Sequence, residues 1–156
     1  MKKVTEELQR IVAEYATKIT SLPEKEFAAK PLPNKWSKKE VLGHLIDSAQ
    51  NNLRRFICGQ YETSPPHIIY EQDFWVSANG YGQAKSEDVI QLWQLINKRL
   101  CDVLNTMPVG NYDKACNTGH TSEQLHSIQW LADDYVKHMK HHLNQIIPNS
   151  FDIVYK

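Results

Sequence analysis

Tyr135-Val136-Lys137-His138-Met139-Lys140-His141-His142-Leu143 carries two histidines, His138 and His142, four residues apart. At that interval two side chains stand one turn apart on one face of a helix. The residues around the pair keep the same rhythm. Ile128, Leu131, Tyr135, His138, His142 and Ile146 recur at intervals of three and four, the signature of an amphipathic helix. The histidines fall inside its apolar stripe, so both imidazoles are expected to face a core. Buried imidazoles need partners, and one divalent metal ion can serve two rings at this spacing. A pair of this kind can also be solvated or simply hydrogen-bonded, so it does not establish a metal site by itself.

Working outward, three more segments show the helical period. The first runs from Val4 to Ser21 with Leu8, Ile11, Val12, Tyr15 and Ile19 on one face, and Pro23 follows its end. The second begins at Ser37, where Glu40 three residues on completes a capping-box pattern and Trp36 precedes as a staple residue. It continues through Val41, Leu45, Ala49, Leu53 and Phe56 to about Gly59. The third opens with Ser86 as the expected N-cap and Glu87 and Asp88 in its first turn. Its face is Val89, Leu92, Trp93, Ile96, Leu100, Val103 and Leu104. The fourth, which holds the histidine pair, is expected to start near Thr121 or Ser122 and to stop before Pro148.

Between these lie three connections. Residues 22–35 contain Pro23, Pro31 and Pro33. Residues 61–85 are punctuated by Pro65-Pro66 and Gly80-Tyr81-Gly82, with a short helix expected at Asp73-Phe74-Trp75-Val76. Residues 109–120 are polar and turn-rich. No strand pair or internal repeat stands out. The pattern predicts an all-α fold, a four-helix bundle in one domain over residues 1–156. The long connection between the second and third helices reads as a crossover, so up-down-up-down order is not required.

The chain has 156 residues, with 18 Lys+Arg balanced by 18 Asp+Glu. A neutral chain lacks the electrostatic footprint of a general nucleic-acid binder. No apolar run is long enough to cross a membrane, and Met1 to Glu7 lacks the apolar region of a signal peptide. Cytoplasmic residence is the expectation. The 3 cysteines, Cys58, Cys101 and Cys116, are widely spaced, which argues against a disulfide framework and a zinc ribbon. Cys58 and Cys101 sit in helical patterns, whereas Cys116 lies in a polar loop where exposure is open to it.

The second helix supplies a third histidine. His44 lies three residues after Val41 and one before Leu45, on or beside the apolar stripe. Three inward histidines on two helices match the way bundles build metal sites, and three histidines with one open position is a standard zinc arrangement. Asp47 is one turn beyond His44 and Asp134 one turn before His138. Either carboxylate can approach the site as a proton shuttle or orient a ligand imidazole, and either can instead be a solvated surface group. His141 belongs to a neighbouring face, about 100° round the helix, and is expected at the surface. His120, His126 and His67 read as loop or helix-start residues. Tyr70, Phe74, Trp75 and Tyr81 either wall a substrate pocket or tuck the long connection against the bundle.

The segment Lys35-Trp36-Ser37-Lys38-Lys39-Glu40-Val41-Leu42-Gly43-His44-Leu45-Ile46-Asp47-Ser48-Ala49 resembles the W-S-x-x-E-x-x-x-H-L-x-D signature of the DinB-like superfamily. The late His138-x-x-x-His142-Leu143-x-Gln145-Ile146 resembles its second signature, and the helix pattern and order also fit over nearly the whole chain. This superfamily is unrelated in fold to the DNA polymerase that shares the name. The resemblance implies a four-helix bundle with a divalent metal, zinc or nickel, held by His44, His138 and His142. It also implies a small-molecule substrate, since relatives include transferases that use low-molecular-weight thiols, mycothiol-dependent maleylpyruvate isomerases and proteins assigned as metal-dependent hydrolases. Many members have no established reaction. The competing reading is a metal-binding or structural domain without turnover, such as a homodimer whose partner covers an apolar helix face.

Overall fold

The computed structural model describes residues 1–155. Six helices account for most of the chain: α1 (Lys2–Thr20), α2 (Glu24–Ala28), α3 (Lys38–Tyr61), α4 (Gln72–Asn79), α5 (Ser86–Thr106) and α6 (Ile128–Ile146). A 3-10 turn (Val109–Asn111) and two short strands, β1 (Ala115–Asn117) and β2 (Leu125–Ser127), lie between α5 and α6. The four long helices α1, α3, α5 and α6 form the bundle. Both α1 and α3 pack on α5 and on α6. The order round the bundle is therefore α1, α5, α3, α6, with α1 diagonal to α3 and α5 diagonal to α6, while α3 and α5 are neighbours. That arrangement places the middle of α3 directly against α6, which positions the site.

The apolar stripes read from the sequence form the core. Leu8, Ile11 and Ile19 of α1 meet Leu42, Leu45 and Ile46 of α3, Trp93, Leu100 and Leu104 of α5, and Leu131, Met139 and Leu143 of α6, all buried. One buried polar tie crosses this core: the Tyr135 hydroxyl donates to Asn97 Oδ1 at 2.6 Å. A buried hydroxyl needs such a partner.

The start of α3 follows the expected pattern. Ser37 Oγ accepts from the Glu40 amide at 3.1 Å, and Glu40 Oε2 accepts from the Ser37 amide at 2.7 Å. Each bond satisfies an amide that the first turn would otherwise leave open. The start of α5 differs from expectation. Lys85 is the capping residue and makes no side-chain cap, while Ser86 is the first helical residue and its hydroxyl donates to Glu24 Oε2 at 2.6 Å. A partner on α2 has drawn the hydroxyl away from the helix end.

α6 begins at Ile128, several residues later than the periodicity suggests, with Ser127 Oγ accepting from the Trp130 amide. The preceding residues pair with β1 instead, Cys116 opposite His126 in an antiparallel register. Asn117 Oδ1 closes the intervening loop by accepting from the amides of Gly119 and Gln124, both at 3.0 Å. The small hairpin also buries Cys116, which is fully shielded against Gly59 rather than exposed. A methyl at Gly59 would come within 2.9 Å of the Cys116 sulfur, so the close approach of hairpin to α3 requires glycine there.

The connection between α3 and α5 holds α4, longer than the four residues expected, with Gly80 at φ 61° as its left-handed C-cap. α4 packs on α3. Gly43 makes the junction possible, because any Cβ there would overlap the Tyr81 ring. No helix among the described residues is long and apolar enough to cross a membrane.

Candidate metal centre

His44 comes from α3, while His138 and His142 come from α6. One ring nitrogen from each lies within 4.8 Å of the others. The Nε2 atoms of His44 and His138 are 3.2 Å apart, and the three rings meet edge to face with centroids 4.5 to 5.1 Å apart. The helical spacing explains the pair on α6, and the contact between α3 and α6 brings the third ring to it.

The surroundings fix the rings. Ser48 Oγ lies 3.4 Å from His138 Nδ1, and Gln145 Oε1 accepts from His142 Nδ1 at 3.1 Å. Ser48 is one turn beyond His44 and Gln145 nearly one turn beyond His142, so each supporting residue shares a helix with a histidine. Trp36 lies against the His44 ring, with centroids 5.0 Å apart and the planes tilted by 31°. The residue expected only as a staple thus also walls the site. His44 Nδ1 is buried and has no hydrogen-bond partner.

Burial keeps the cluster uncharged. It pulls His44 down to about 3, with His142 adding to the effect. His138 lies well below the ordinary imidazole value, through burial first and then His142, His44, His141 and Arg55. His142 is lowered by burial, partly offset by its bond to Gln145. A neutral imidazole is the form that binds a metal, so the fold holds the three rings ready.

A divalent ion fits this donor set. Two nitrogens on one tetrahedral ion at about 2.0–2.1 Å stand about 3.3–3.4 Å apart, close to the spacing of His44 and His138 Nε2. The Nδ1 atoms of His138 and His142 are occupied by Ser48 and Gln145, which leaves both Nε2 atoms for an ion. Among the described residues no carboxylate or thiol joins the cluster.

The two carboxylates singled out in the sequence lie differently. Asp47 is fully buried, and its Oδ1 accepts from the Tyr81 hydroxyl at 2.7 Å and from Asn79 Nδ2 at 3.0 Å. Its Oδ2 has no partner. Burial pushes its carboxyl up to about 6, against the opposing pull of Tyr81. No hydrogen bond joins it to a histidine. Asp134 Oδ2 accepts from the Tyr155 hydroxyl at 3.0 Å, and the Tyr155 ring lies 5.6 Å from His138 and from His141. Asp134 therefore reaches the cluster through a tyrosine that follows the last helix, where no periodic signal marked it. His141 is half-buried between His142 and Tyr155 rather than at the open surface.

The other histidines stand apart. His120 is exposed, His126 stacks on Trp130 at 3.8 Å, and His67 donates from Nε2 to the Gly119 carbonyl at 2.7 Å. Of the loop aromatics, Tyr81 is buried on α3, Tyr70 and Trp75 meet edge to face at 5.5 Å, and Phe74 is 72% exposed. A groove of about 760 Å³ opens beside the cluster. Trp36 and Gln145, the neighbours of His44 and His142, form part of its wall, together with Asn34, Lys35, Gln72 and Asp73.

Residues 7–146 match the model of the DinB superfamily, and the chain belongs to that superfamily. Among solved structures the chain is similar to YfiT from Bacillus subtilis, described as a probable metal-dependent hydrolase with an unusual four-helix bundle topology. The TM-score is 0.83 at 20% identity over 93% of this chain and 82% of that one. It is also similar to the mycothiol-dependent maleylpyruvate isomerase, with a TM-score of 0.70 at 10% identity over 91% of this chain and 59% of that one. A histidine-to-alanine mutant of that isomerase matches equally, at 9% identity. At these identities the likeness is one of fold. Comparison with curated proteins returns no match.

Proposed function

We propose that the chain is a divalent-metal-dependent enzyme acting on a small molecule, with His44, His138 and His142 as the metal ligands and the whole chain working as one domain. The observation that carries this reading is the cluster itself: one buried and two half-buried imidazoles from two packed helices, all held below the ordinary imidazole value, with the Nε2 atoms of His44 and His138 at a metal-edge distance. When bound, a zinc or nickel ion supplies the Lewis acidity that makes a nucleophile available at neutral pH, from water in a hydrolase or from a low-molecular-weight thiol in a transferase.

The residues around the cluster orient and shield. Ser48 and Gln145 engage the outer nitrogens of His138 and His142, which fixes ring rotation and tautomer. Trp36 covers one face of His44 and keeps water from it. Asp47 lies one turn beyond His44 on α3, and its carboxyl, pushed up to about 6 by burial, would serve as a proton carrier in the hydrolytic form. The transferase form is supported by the lack of a carboxylate in the cluster, because a thiol bound to a metal needs no separate base.

Turnover of zinc-loaded and nickel-loaded protein, screened on an ester panel and on a thiol-plus-electrophile panel, tests the reading. His138→Ala should remove both metal and turnover. Asp47→Asn should keep the fold and most of the metal while lowering the rate about 10–100-fold. Undiminished turnover in metal-free His138→Ala protein would overturn metal-dependent chemistry.

A further inference from the structure

Arg55 lies on the same stripe of α3 as His44, at positions 44, 48, 52 and 55, and none of its bonds goes to a carboxylate. Its Nε and Nη2 donate to the Ile68 carbonyl at 3.1 and 2.7 Å, and its Nη1 donates to Asn52 Oδ1 at 3.3 Å. Among the described residues no acidic oxygen lies within ion-pair distance. A guanidinium has five N–H groups, so one on each terminal nitrogen is left without a protein acceptor. Arg55 is half-buried, so part of a cation leaves water here without a contacting carboxylate, and such groups are normally paired. Asp134 acts on Arg55 electrostatically, but it makes no ion-pair contact with the guanidinium, and one of its oxygens accepts from the Tyr155 hydroxyl.

Side chains connect this cation to the histidine cluster. His138 Nδ1 meets Ser48 Oγ at 3.4 Å, Asn52 Nδ2 donates to Ser48 Oγ at 3.4 Å, and Arg55 donates to Asn52. Arg55 also lies in electrostatic range of Tyr70, Tyr155 and His138. Tyr70 and Tyr155 are both half-buried, and the Tyr155 ring rests on His138. A cation, two phenols and an amide thus stand beside the partly open side of His138. Holding the Ile68 carbonyl in place is a sufficient task for one edge of the guanidinium, but it leaves the cation without a contacting carboxylate and with N–H groups that no protein acceptor uses.

We propose that Arg55 is the specificity-determining residue of the site, and that the small molecule handled at the histidine cluster carries a carboxylate that supplies the missing counter-ion. The planar guanidinium suits a carboxylate through paired N–H donors. This inference rests on the metal-dependent reading above.

The test uses full-length protein loaded with cobalt(II), whose thiolate absorption band reports ligation at the metal. A homologous series of mercapto-acids and mercapto-alcohols of matched chain length serves as the probe. At the length that spans ion and guanidinium, the acid should bind about 10- to 100-fold more tightly than the alcohol, the worth of hydrogen bonds to a charged group. Arg55→Gln should remove that preference while leaving the alcohol's affinity unchanged, and Arg55→Lys, which keeps the charge and is the safer variant for folding, should retain part of it. Equal affinities at every length in the unaltered protein, or a preference that survives Arg55→Gln, would overturn the proposal. Calorimetry with glutarate on metal-free protein separates the two readings. Binding that is lost in Arg55→Gln supports Arg55 even if cobalt fails to bind, and no binding to either protein, with no acid preference, counts against it.

Discussion

At the residue scale, the site's chemistry follows from what burial does to charge. His44, His138 and His142 are all held below the ordinary imidazole value, chiefly by desolvation. The unfolded chain takes up protons at about 6.5, whereas folded His44 does so only at about 3. Stability contributed by these neutral rings is therefore present above about pH 6.5 and is lost as pH falls from there toward 3. Metal release on acidification should coincide with unfolding, not with ordinary histidine titration near 6.5. Parallel circular dichroism and metal-release curves check this, and release well before unfolding would contradict it. Asp47 works in the opposite direction. Its folded value of about 6 exceeds the ordinary 3.8, so stability falls as pH rises from about 4 to about 6, where the unfolded carboxyl ionises and the folded one still holds its proton. Relative to Asp47→Asn, the unaltered protein should lose about 1–3 kcal/mol over that window, measured by urea unfolding at each pH. The three histidines were legible because helical spacing and apolar rhythm both point at them. Arg55 and Tyr155 were not, because Arg55 counts as a surface cation by type and Tyr155 reaches His138 from a tail with no period.

At the element scale, α3 carries one histidine of the cluster and α6 the other two, and a capping box fixes the start of α3. Ser37→Ala removes one half of the reciprocal cap and should cost about 1 kcal/mol of stability by denaturant unfolding. A cost near zero would show that the cap does not matter to the fold. Gly43→Ala should cost more, about 1–3 kcal/mol, because the new methyl displaces the Tyr81 ring and with it the bond to Asp47. The long helices were legible because one apolar stripe repeats over several turns. The hairpin before α6 was not. Its strands are three residues each, and their pairing depends on Asn117 closing the loop and on Cys116 fitting beside Gly59, contacts that no local pattern announces.

At the scale of the whole molecule, the diagonal order of the bundle decides that α3 meets α6. The helical period predicted four helices but not which pairs touch, since that choice depends on how the long connections cross. An ion held by His44, His138 and His142 would tie together two helices separated by α4, α5 and the hairpin. Binding only the folded state, it should raise stability by about 4 kcal/mol at a free concentration 1,000-fold above its dissociation constant, and the melting temperature should rise with metal concentration. The most direct measurement is equilibrium dialysis of untagged protein against zinc, followed by elemental analysis of the unaltered chain and of the His44→Ala, His138→Ala, His142→Ala triple variant. The account predicts one ion per chain for the first and none in stoichiometric amount for the folded triple variant. Full retention of zinc by that variant would contradict it.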